Sequence, residues 1–514
     1  FAMKFLADQP ADSRFVTSVL AFCVFAGLLT SAWCLYIDDV INNDGVVYVR
    51  TADYLATGDW TGAIASHHWP FFSLLMLALS KVLGISYQWA GQLLNAGFFT
   101  ASAVLFVLVT RAFGGTSRRL TVFAALVAVM HPAFNEYRAF IIRDAGYLTF
   151  FLLAVWYLAR SVTAPLLRYR IGVIVAFAIA SLFRIEGVVF LLSTPLLLSF
   201  TRRASGGSPW SWLALLVVSA GLLAVVLGWW LLAPTAGIDP LTAFRAPWDV
   251  VTDAWQHISA SFVHKIAILR QEFLGQYGNE YAWALFIFSV LMILVSATFS
   301  QMTVPWALLV FAGLLSGVRF PHKALNRLWL SLLGMHLIIL LVFAIVKLFL
   351  AARYPLALSV TALLVVPFAL ERALVAIRWH QLKTPVQISV VLLLLWGIGE
   401  CVSGLDNVTR ARAIKDSGVW LAGHTNTPGS LVSNDWRIAY YAGRYTDNDF
   451  IVEDVGKVLH GLRKGRWPDA DYVALRLSRS AEKTQAWVLE ALGNAPEQIF
   501  ESDSGDRVLV YLRP

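Results

Sequence analysis

Five aspartates lie close together after the first apolar segment of the chain. Asp38, Asp39, Asp44, Asp53 and Asp59 fall within 22 residues. Carboxylates are costly beside hydrocarbon, and those kept near a membrane usually have a functional role. A carboxylate can accept the proton of a hydroxyl group as that group attacks an electrophile. We therefore interpret one of these aspartates as a catalytic base.

Asp44 stands at the start of a helix-like run that ends at Gly58. Asn43 or Asp44 would cap that helix. Helix capping is thus an alternative role for Asp44, and the spacing alone leaves both roles open. Asp38 and Asp39 could equally be solvated charges at the membrane interface.

The composition predicts an all-α polytopic membrane protein. The chain has 514 residues, of which 58% are hydrophobic, and its mean hydropathy is +0.66. Apolar runs that are long enough, or nearly long enough, to cross a bilayer recur along most of the chain. The predicted spans are 15–36, 87–110, 120–134, 145–160, 170–184, 187–201, 210–233, 282–299, 304–318, 328–350, 354–370 and 385–403.

Basic residues are concentrated in the short loops between these spans, and the net charge is +8. The positive-inside rule places such loops in the cytoplasm, which explains the basic charge better than nucleic-acid binding does. The rule also places loop 371–383 inside and the tail after it outside, so we expect an odd number of crossings, 11 or 13. The three cysteines lie in apolar segments, which argues against a disulfide framework or a thiolate metal site.

Three regions stand out from the spans. The first external loop, 37–84, contains predicted juxtamembrane helices, with the apolar segment 69–84 along the interface. A second long loop covers 234–281. Residues 404–514 alternate strand-like and helix-like runs and end in a hairpin pattern around 502–506, which predicts a small α/β soluble domain. The predicted division is therefore a membrane domain, 1–403, and a C-terminal domain, 404–514.

A series of short motifs follows the first span in a fixed order. Asp44 and Tyr48 form an Asp-x-x-x-Tyr pattern, and Gly-Asp-Trp follows at 58–60. This order resembles the GT-C glycosyltransferases that use polyprenyl-phosphate sugars, above all the protein O-mannosyltransferases and the lipid A aminoarabinose transferases. The resemblance covers most of residues 15–370. Further matching stretches are 68–75, 81–84, 87–114, 143–150, 183–187 and 352–358.

The resemblance implies a role for particular residues. Asp44 matches the catalytic carboxylate of the first external loop, and Asp144 matches a second acidic position at the outer end of the fourth span. Arg353 matches a basic residue near the lipid phosphate, with His68 or Lys81 as further phosphate contacts. The aminoarabinose transferases carry a Lys before a Pro-Pro pair, whereas this chain has His68 and Trp69 before a single Pro.

Four further residues are candidate substrate contacts: Tyr48, Arg143, Arg184 and Glu186. Alternative readings stay open for three of them. Arg143 could form only an ion pair with Asp144. Arg184 and Glu186, which stand two apart between spans, could pair with one another or line the cavity.

These residue types fit sugar transfer from a lipid phosphate. A carboxylate would accept the proton of the attacking hydroxyl, and cations would stabilise the charge that develops on the leaving phosphate. In-line attack would invert the anomeric configuration. Asp44 and Asp144 could share a divalent metal, but two carboxylates are an incomplete site for a hard metal ion. No metal ligand is therefore assigned.

The predicted function is that of an inverting glycosyltransferase in the bacterial inner membrane, with its active site and C-terminal domain facing the periplasm. Its partners would be a polyprenyl-phosphate-linked sugar and an acceptor on lipid A or lipopolysaccharide, another envelope glycan or a protein. A transporter or flippase of lipid-linked sugars is one alternative, although the sequence shows no internal repeat, concentrates its charges at the outer surface and has a large external domain. A glycan polymerase or ligase that uses a pyrophosphate donor is another.

Overall fold

The structure is a computed structural model. The residues that it describes form helices and one four-stranded sheet. It describes residues 9–164, 166–202, 221, 260, 262–376, 384–405, 412–424, 431–446, 450–452, 454–468, 470–477, 488, 492–493, 495–502 and 505–512.

The helices are α1 (Ser13–Ile37), α2 (Asn43–Ala56), α3 (Trp60–Ser66), α4 (Phe71–Leu83), α5 (Tyr87–Ala112), α6 (Arg118–Met130), α7 (Asp144–Thr163), α8 (Leu167–Phe183), α9 (Ile185–Leu192), α10 (Thr194–Arg202), α11 (Ala282–Met302), α12 (Val304–Leu315), α13 (Lys323–Lys347), α14 (Leu356–Leu363), α15 (Val366–Ala376), α16 (Thr384–Ser403), α17 (Arg412–Ala422), α18 (Trp436–Tyr441) and α19 (Val455–Arg463). Short helical turns lie at Pro132–Phe134, Leu269–Phe273, Gly275–Gly278 and Asn279–Tyr281. The strands are β1 (Leu431–Ser433), β2 (Tyr472–Leu477), β3 (Gln498–Glu501) and β4 (Arg507–Leu512).

Six segments of the described chain are helical, long enough and apolar enough to cross a membrane. The predicted class, a polytopic helical membrane protein with a small C-terminal α/β fold, is confirmed. The predicted span 210–233 lies outside the described residues, so the number of crossings stays a prediction. The six segments are Ser13–Ile37, Tyr87–Ala112, Asp144–Thr163, Asn279–Met302, Lys323–Lys347 and Leu356–Val375.

Some helix boundaries differ from the prediction. The predicted span 187–201 is two helices, α9 and α10, that meet at Ser193. The predicted span 120–134 ends at Met130, and a short 3-10 turn with a proline follows it. Segment 69–84 forms the 13-residue helix α4, which ends at Gly84 in the left-handed conformation (φ +66°). Most of the predicted loop 234–281 lies outside the described residues, which include 260 and continue from 262.

The chain divides into two compact units. The first unit comprises Phe1–Leu28, Gly97–Glu136 and Arg143–Gly404, and the second comprises Leu29–Ala96, Tyr137–Ile142 and Leu405–Pro514. Most of the apolar helices belong to the first unit. The second unit contains both the acidic segment after α1 and the C-terminal sheet.

The sheet has the strand order β1-β2-β4-β3. Strands β1 and β2 are parallel, whereas β4 pairs antiparallel with β2 and with β3. The predicted hairpin is therefore confirmed, with Gly505 in its turn at φ +81°. The strand-like run at 450–452 forms only a single bridge, between Ile451 and Ser433. The helix-like run at 482–492 lies almost entirely outside the described residues.

The first unit contains a tight corner between α8 and α9. Arg184 stands at this corner in extended conformation (φ −146°, ψ 147°). It is both the C-cap of α8 and the N-cap of α9. Gly187 packs against the backbone of α8, where an added Cβ would lie 2.4 Å from the Ser181 nitrogen. Gly146 of α7 likewise faces the Phe183 ring at a distance that leaves no room for a methyl group. Small residues thus allow the corner to close.

This close packing generates a prediction for Gly187. Gly187→Ala would place a methyl group against backbone that cannot turn away, so we expect the free energy of unfolding to fall by about 1–3 kcal/mol. Thermal unfolding of the purified protein in detergent measures the change. Gly334→Ala is the matched control, because nothing lies within 4 Å of a Cβ at that helical position. Equal melting temperatures for the two variants would contradict the prediction.

Candidate active site

Asp144 occupies the first turn of α7 and is buried, with 5% of its surface exposed. Backbone N–H groups that lack intrahelical partners and the positive end of the helix dipole favour a carboxylate at this position. Asp144 also forms ion pairs, one with Arg184 and a longer one with Arg353, whose Nε lies 4.0 Å from Oδ2. Arg143 is the half-buried residue that precedes the helix.

Arg184 bridges two carboxylates. Its Nη1 contacts Asp144, and its Nε lies 3.0 Å from each carboxylate oxygen of Glu186. The corner between α8 and α9 makes this geometry possible, since extended backbone at Arg184 places the side chain between the start of α7 and the first turn of α9. The sequence left open whether Arg184 and Glu186 pair with one another or line a cavity. In the structure they do both.

Arg353 and Tyr354 lie in the turn before α14. The Tyr354 ring faces both guanidinium groups, with centroid distances of 5.0 Å to Arg184 and 5.9 Å to Arg353. The Arg353 side chain is 23% exposed and the Arg184 side chain 10%. Arg353 is therefore the more accessible of the two cations and the better placed to meet an anion that enters from outside.

These residues line a narrow cleft. Its walls come from the first turns of α7 and α9, the middle of α13 and the start of α14. The lining residues are Asp144, Tyr147, Leu148, Arg184, Glu186, His336, Ile339, Leu340, Arg353, Tyr354, Leu356 and Ala357.

Asp44 belongs to the second unit, in the first turn of α2, where it is half-buried. The N-cap of this helix is Asn42, so the prediction that Asn43 or Asp44 is the cap was wrong by one or two residues. Asn42 instead pairs with Ile141 through both amide atoms, at 2.7 and 3.2 Å. That pair fixes the start of α2, and with it the position of Asp44. The predicted stop at Gly58 is confirmed, since the helix ends at Ala56 and Gly58 has φ +78°.

The other predicted residues of the acidic loop also lie in the second unit. Tyr48 is buried, one turn beyond Asp44 on α2, and its ring meets His67 and Phe72 edge to face at 5.1 and 5.3 Å. His68 is exposed, with Nδ1 3.1 Å from the Ile64 carbonyl oxygen. Lys81 is exposed in the last turn of α4.

The C-terminal part of the second unit holds the segment that leads into α2. The backbone N–H of Ile41 donates a 2.8 Å hydrogen bond to the Tyr441 hydroxyl. Lys415 of α17 forms an ion pair with Asp39. Gln88 donates to the Asp39 carbonyl at 2.7 Å. Three side chains from distant parts of the sequence thus fix two residues of the acidic loop, Asp39 and Ile41.

Two more contacts reach the middle and end of α2. The Arg50 guanidinium lies 5.0 Å from the centre of the Trp436 ring. The Tyr445 hydroxyl donates a 2.6 Å hydrogen bond to Asp53. Burial raises the pKa of the Asp53 carboxyl, and this hydrogen bond offsets part of the rise. Asp53 is therefore engaged by the C-terminal segment.

The arrangement of carboxylates gives little support for a metal site. The described residues contain no group of three or more His, Cys, Asp or Glu side chains placed to hold a metal ion. Asp144 and Glu186 are both engaged by the Arg184 guanidinium, which supplies the positive charge that a metal would bring.

Comparison with solved structures gives the fold. The crystal structure of ArnT from Cupriavidus metallidurans bound to undecaprenyl phosphate is similar over 97% of this chain and 98% of that one, with a TM-score of 0.54 and 14% identity. An oligosaccharyltransferase from Archaeoglobus fulgidus, tethered to an acceptor peptide, is similar over 96% of this chain and 74% of that one, with a TM-score of 0.51 and 14% identity. This chain has the GT-C fold. No protein-family model and no curated protein matches the sequence.

Within this GT-C fold the nine predicted site residues fall into two groups. Asp144, Arg184, Glu186 and Arg353 meet in the cleft of the first unit, and Arg143 is next to them in the chain. The second unit contains the predicted residues of the acidic loop, which are Asp44, Tyr48, His68 and Lys81.

Among the polar and aromatic residues of the cleft, three were missed by the sequence analysis: Tyr147, His336 and Tyr354. Tyr147 stands three positions after Asp144 and hence on the same face of α7. His336 is a polar residue inside the long apolar helix α13, and such residues commonly mark functional sites. Tyr354 follows Arg353 directly. Two of them could have been found from the sequence: Tyr147 by its spacing from Asp144, and His336 by its apolar surroundings.

The buried ion pairs generate a prediction for Arg184. Arg184→Gln would leave two carboxylates close together without their shared cation, so we expect a loss of about 3–5 kcal/mol in the free energy of unfolding. Adding Asp144→Asn removes one of the two charges and should recover part of that loss. Unfolding of the single and double variants in detergent measures both effects. A double variant as unstable as the sum of its single changes would refute the coupling.

The raised pKa of Asp53 predicts a pH dependence. Because the folded chain holds this proton more tightly than the unfolded chain, the stability contributed by Asp53 is complete below the unfolded pKa, about 3.9, and is lost as the pH rises through the folded pKa. The melting temperature of Asp53→Asn should therefore rise relative to that of the natural chain over this window. Tyr445→Phe should widen the window, because it removes the hydrogen bond that lowers this pKa. A difference between Asp53→Asn and the natural chain that is independent of pH would argue against this account.

Proposed function

We propose that this chain is a membrane glycosyltransferase that transfers one sugar, with inversion, from a polyprenyl-phosphate donor to an acceptor in the bacterial periplasm. The observation that carries the proposal is the cleft of the first unit, where Asp144, Arg184, Glu186 and Arg353 converge within a GT-C fold. Carboxylates bind sugar hydroxyls and guanidinium groups bind phosphate, so the cleft contains both kinds of partner that the donor needs.

The reaction needs a base, and we assign that role to Asp44. Its carboxylate accepts the proton of the acceptor hydroxyl as the hydroxyl oxygen attacks the anomeric carbon. The bond between that carbon and the phosphate oxygen breaks, and its electron pair leaves on the phosphate. Attack opposite to the leaving group inverts the anomeric centre.

The leaving phosphate needs positive charge, and Arg353 is our primary candidate to supply it. Its side chain is the more exposed of the two cleft arginines, and its contact with Asp144 is long, at 4.0 Å. His68 and Lys81 are further candidates, both exposed in the second unit. Binding of undecaprenyl phosphate by the ArnT structure supports a lipid phosphate as the donor type.

Acceptor and localisation follow from the same proposal. The acceptor is lipid A or lipopolysaccharide, another envelope glycan or a protein, and the protein resides in the inner membrane with its C-terminal domain, 404–514, in the periplasm. Basic loops between the spans support this orientation through the positive-inside rule. The contacts that Lys415, Tyr441 and Tyr445 make with the acidic loop support placing the C-terminal domain on the catalytic side.

Transfer by the purified protein, tested with a panel of polyprenyl-phosphate sugars, checks this proposal. Asp44→Asn should lower the transfer rate by about 10²–10⁴-fold, the usual contribution of a general base. Asp59→Asn is the matched control, because Asp59 caps α3 by accepting from the Gly62 N–H and asparagine caps equally well. Its transfer rate should be unchanged.

Two outcomes would overturn parts of the proposal. Full activity of Asp44→Asn would remove Asp44 as the base while leaving the transferase function in place. Failure of the natural chain with every donor, together with measurable movement of the lipid-linked sugar across vesicles, would favour transport.

A further inference from the structure

A cavity of about 560 Å³ lies along α19 in the C-terminal domain. Its volume falls within the range of small-molecule sites, and it includes none of the nine candidate residues discussed above. Four of its lining side chains are basic and one is acidic. The lining residues are Val452, Asp454, Gly456, Lys457, His460, Gly461, Lys464 and Arg466.

Three of the basic side chains lie on one face of α19 because of their spacing. Lys457, His460 and Lys464 follow one another at intervals of three and four residues, which places them along one side of a helix. All three are exposed. With a rise of 1.5 Å per residue, Lys457 and Lys464 stand about 10 Å apart along the helix axis. The cavity therefore has a cation towards each end.

The turn after α19 adds Arg466. Gly465 has φ +67°, and the backbone N–H of Arg466 donates to the Gly461 carbonyl at 3.0 Å, as in a Schellman motif. Trp467 packs against Gly461, where an added Cβ would lie 2.5 Å from its ring. The Arg466 guanidinium lies 5.1 Å from the centre of the Trp467 ring. The turn and this ring together position Arg466 beside Lys464.

Helix stability explains some of these charges but not that of Lys457. Lys464 is the C-cap of α19, where the helix dipole favours a cation. Lys457 stands in the first turn, where the dipole disfavours one. The acidic residue of the lining, Asp454, is the N-cap and accepts from the Lys457 backbone N–H at 2.8 Å.

The cations of the cavity are also without carboxylate partners in the part of the chain that the structure describes. No ion pair there joins Lys457, Lys464 or Arg466 to an acidic side chain. Arginine and lysine bind anionic groups such as phosphate through charge-assisted hydrogen bonds. An anionic ligand would therefore account for a cation that the helix itself disfavours.

The remaining lining indicates the class of that ligand. The His460 ring lies between the two charged ends and can hydrogen-bond a hydroxyl group. The described lining contains no Phe, Tyr or Trp, the rings on which nucleobases stack. The volume exceeds what a lone phosphate would fill. A saccharide with an anionic group at each end matches the length, the charges and the hydrogen-bonding group.

A membrane surface fits α19 less well than a saccharide does. Helices that lie on a membrane insert their apolar face into it. The apolar face of α19 is already buried in the core of the C-terminal domain, where Val458 and Leu459 are 0% and 1% exposed. Only the basic face is left to meet a partner.

We propose that this cavity binds an acidic saccharide, with Lys464 and Arg466 on the anionic group at one end, Lys457 on the group at the other end and His460 on a hydroxyl between them. The proposal adds a second binding site to the chain. It does not depend on transfer by the candidate active site.

Calorimetric titration of the full chain in nanodiscs of zwitterionic lipid tests the site. The probes are fructose 1,6-bisphosphate, which carries phosphate at both ends of a sugar, fructose 6-phosphate, fructose and inorganic phosphate. We expect the bisphosphate to bind about 10-fold more tightly than the monophosphate, the effect of one charge-assisted hydrogen bond. Inorganic phosphate should bind more weakly than either, and fructose most weakly of all.

Variants of the cations locate the binding. Lys457→Gln and Arg466→Gln should each weaken binding of the bisphosphate about 10-fold. Lys457→Gln should also reduce the preference for the bisphosphate over the monophosphate, because it removes the cation at one end. Arg463→Gln is the matched control, since Arg463 is an exposed cation of the same helix outside the cavity lining. It should change the affinity less than about twofold.

Thermal unfolding separates binding from folding. Lys457→Gln should leave the melting temperature unchanged or raise it, because the first turn of a helix disfavours a cation. A lower melting temperature would show that Lys457 serves the fold, and the proposed role of that residue would be wrong.

Several results would overturn the proposal. Inorganic phosphate that binds as tightly as the bisphosphate would exclude a saccharide site, and an equal loss in Arg463→Gln would show a general effect of charge. Binding to phosphatidylglycerol vesicles that Lys457→Gln abolishes, without binding of the bisphosphate, would favour a lipid surface. Asp44→Asn should leave all four affinities unchanged, so failure of the transferase proposal and failure of this one are distinguishable.

Discussion

Arg184 lies between two carboxylates inside a unit built from apolar helices, and several separate segments of the chain must converge to make that possible. Charges removed from water are tolerated only when they neutralise one another with good geometry. The start of α7 supplies Asp144, and the first turn of α9 supplies Glu186. The turn before α14 adds Arg353 at a longer distance. The helices of the first unit must therefore pack so that these charged groups meet.

The cleft owes its position to the ends of helices rather than to their middles. A helix end provides backbone groups and a dipole that favour charge, and a break between two helices lets a long side chain turn inward. Arg184 occupies such a break, between α8 and α9. The two helices pack closely there because Gly187 has no side chain to hold them apart. His336 is the exception, since it projects from the middle of α13. Its packing against aromatic rings compensates for that position.

The five clustered aspartates of the second unit have different partners. Asp39 pairs with Lys415, Asp53 accepts from Tyr445, and Asp59 caps α3. The Asp38 carboxylate accepts from a backbone N–H two residues further on. Asp44 differs from these because it stands in the first turn of a helix whose start is fixed by other residues. Spacing alone could not rank the five, since the partners of Asp39 and Asp53 lie almost 400 residues away in the sequence.

The sequence by itself determined the class of the protein, most of its helices, its C-terminal hairpin and four of the side chains that meet in the cleft. Hydrophobic runs, charge distribution and turn residues are local signals, and local signals are enough for these features. Only the tertiary structure decided that Arg184 bridges Asp144 and Glu186, and that His336 faces them. Asp144 and Arg184 are 40 positions apart in the sequence, and His336 lies more than 150 positions after either of them. Their geometry depends on how helices pack, which no single stretch of sequence encodes.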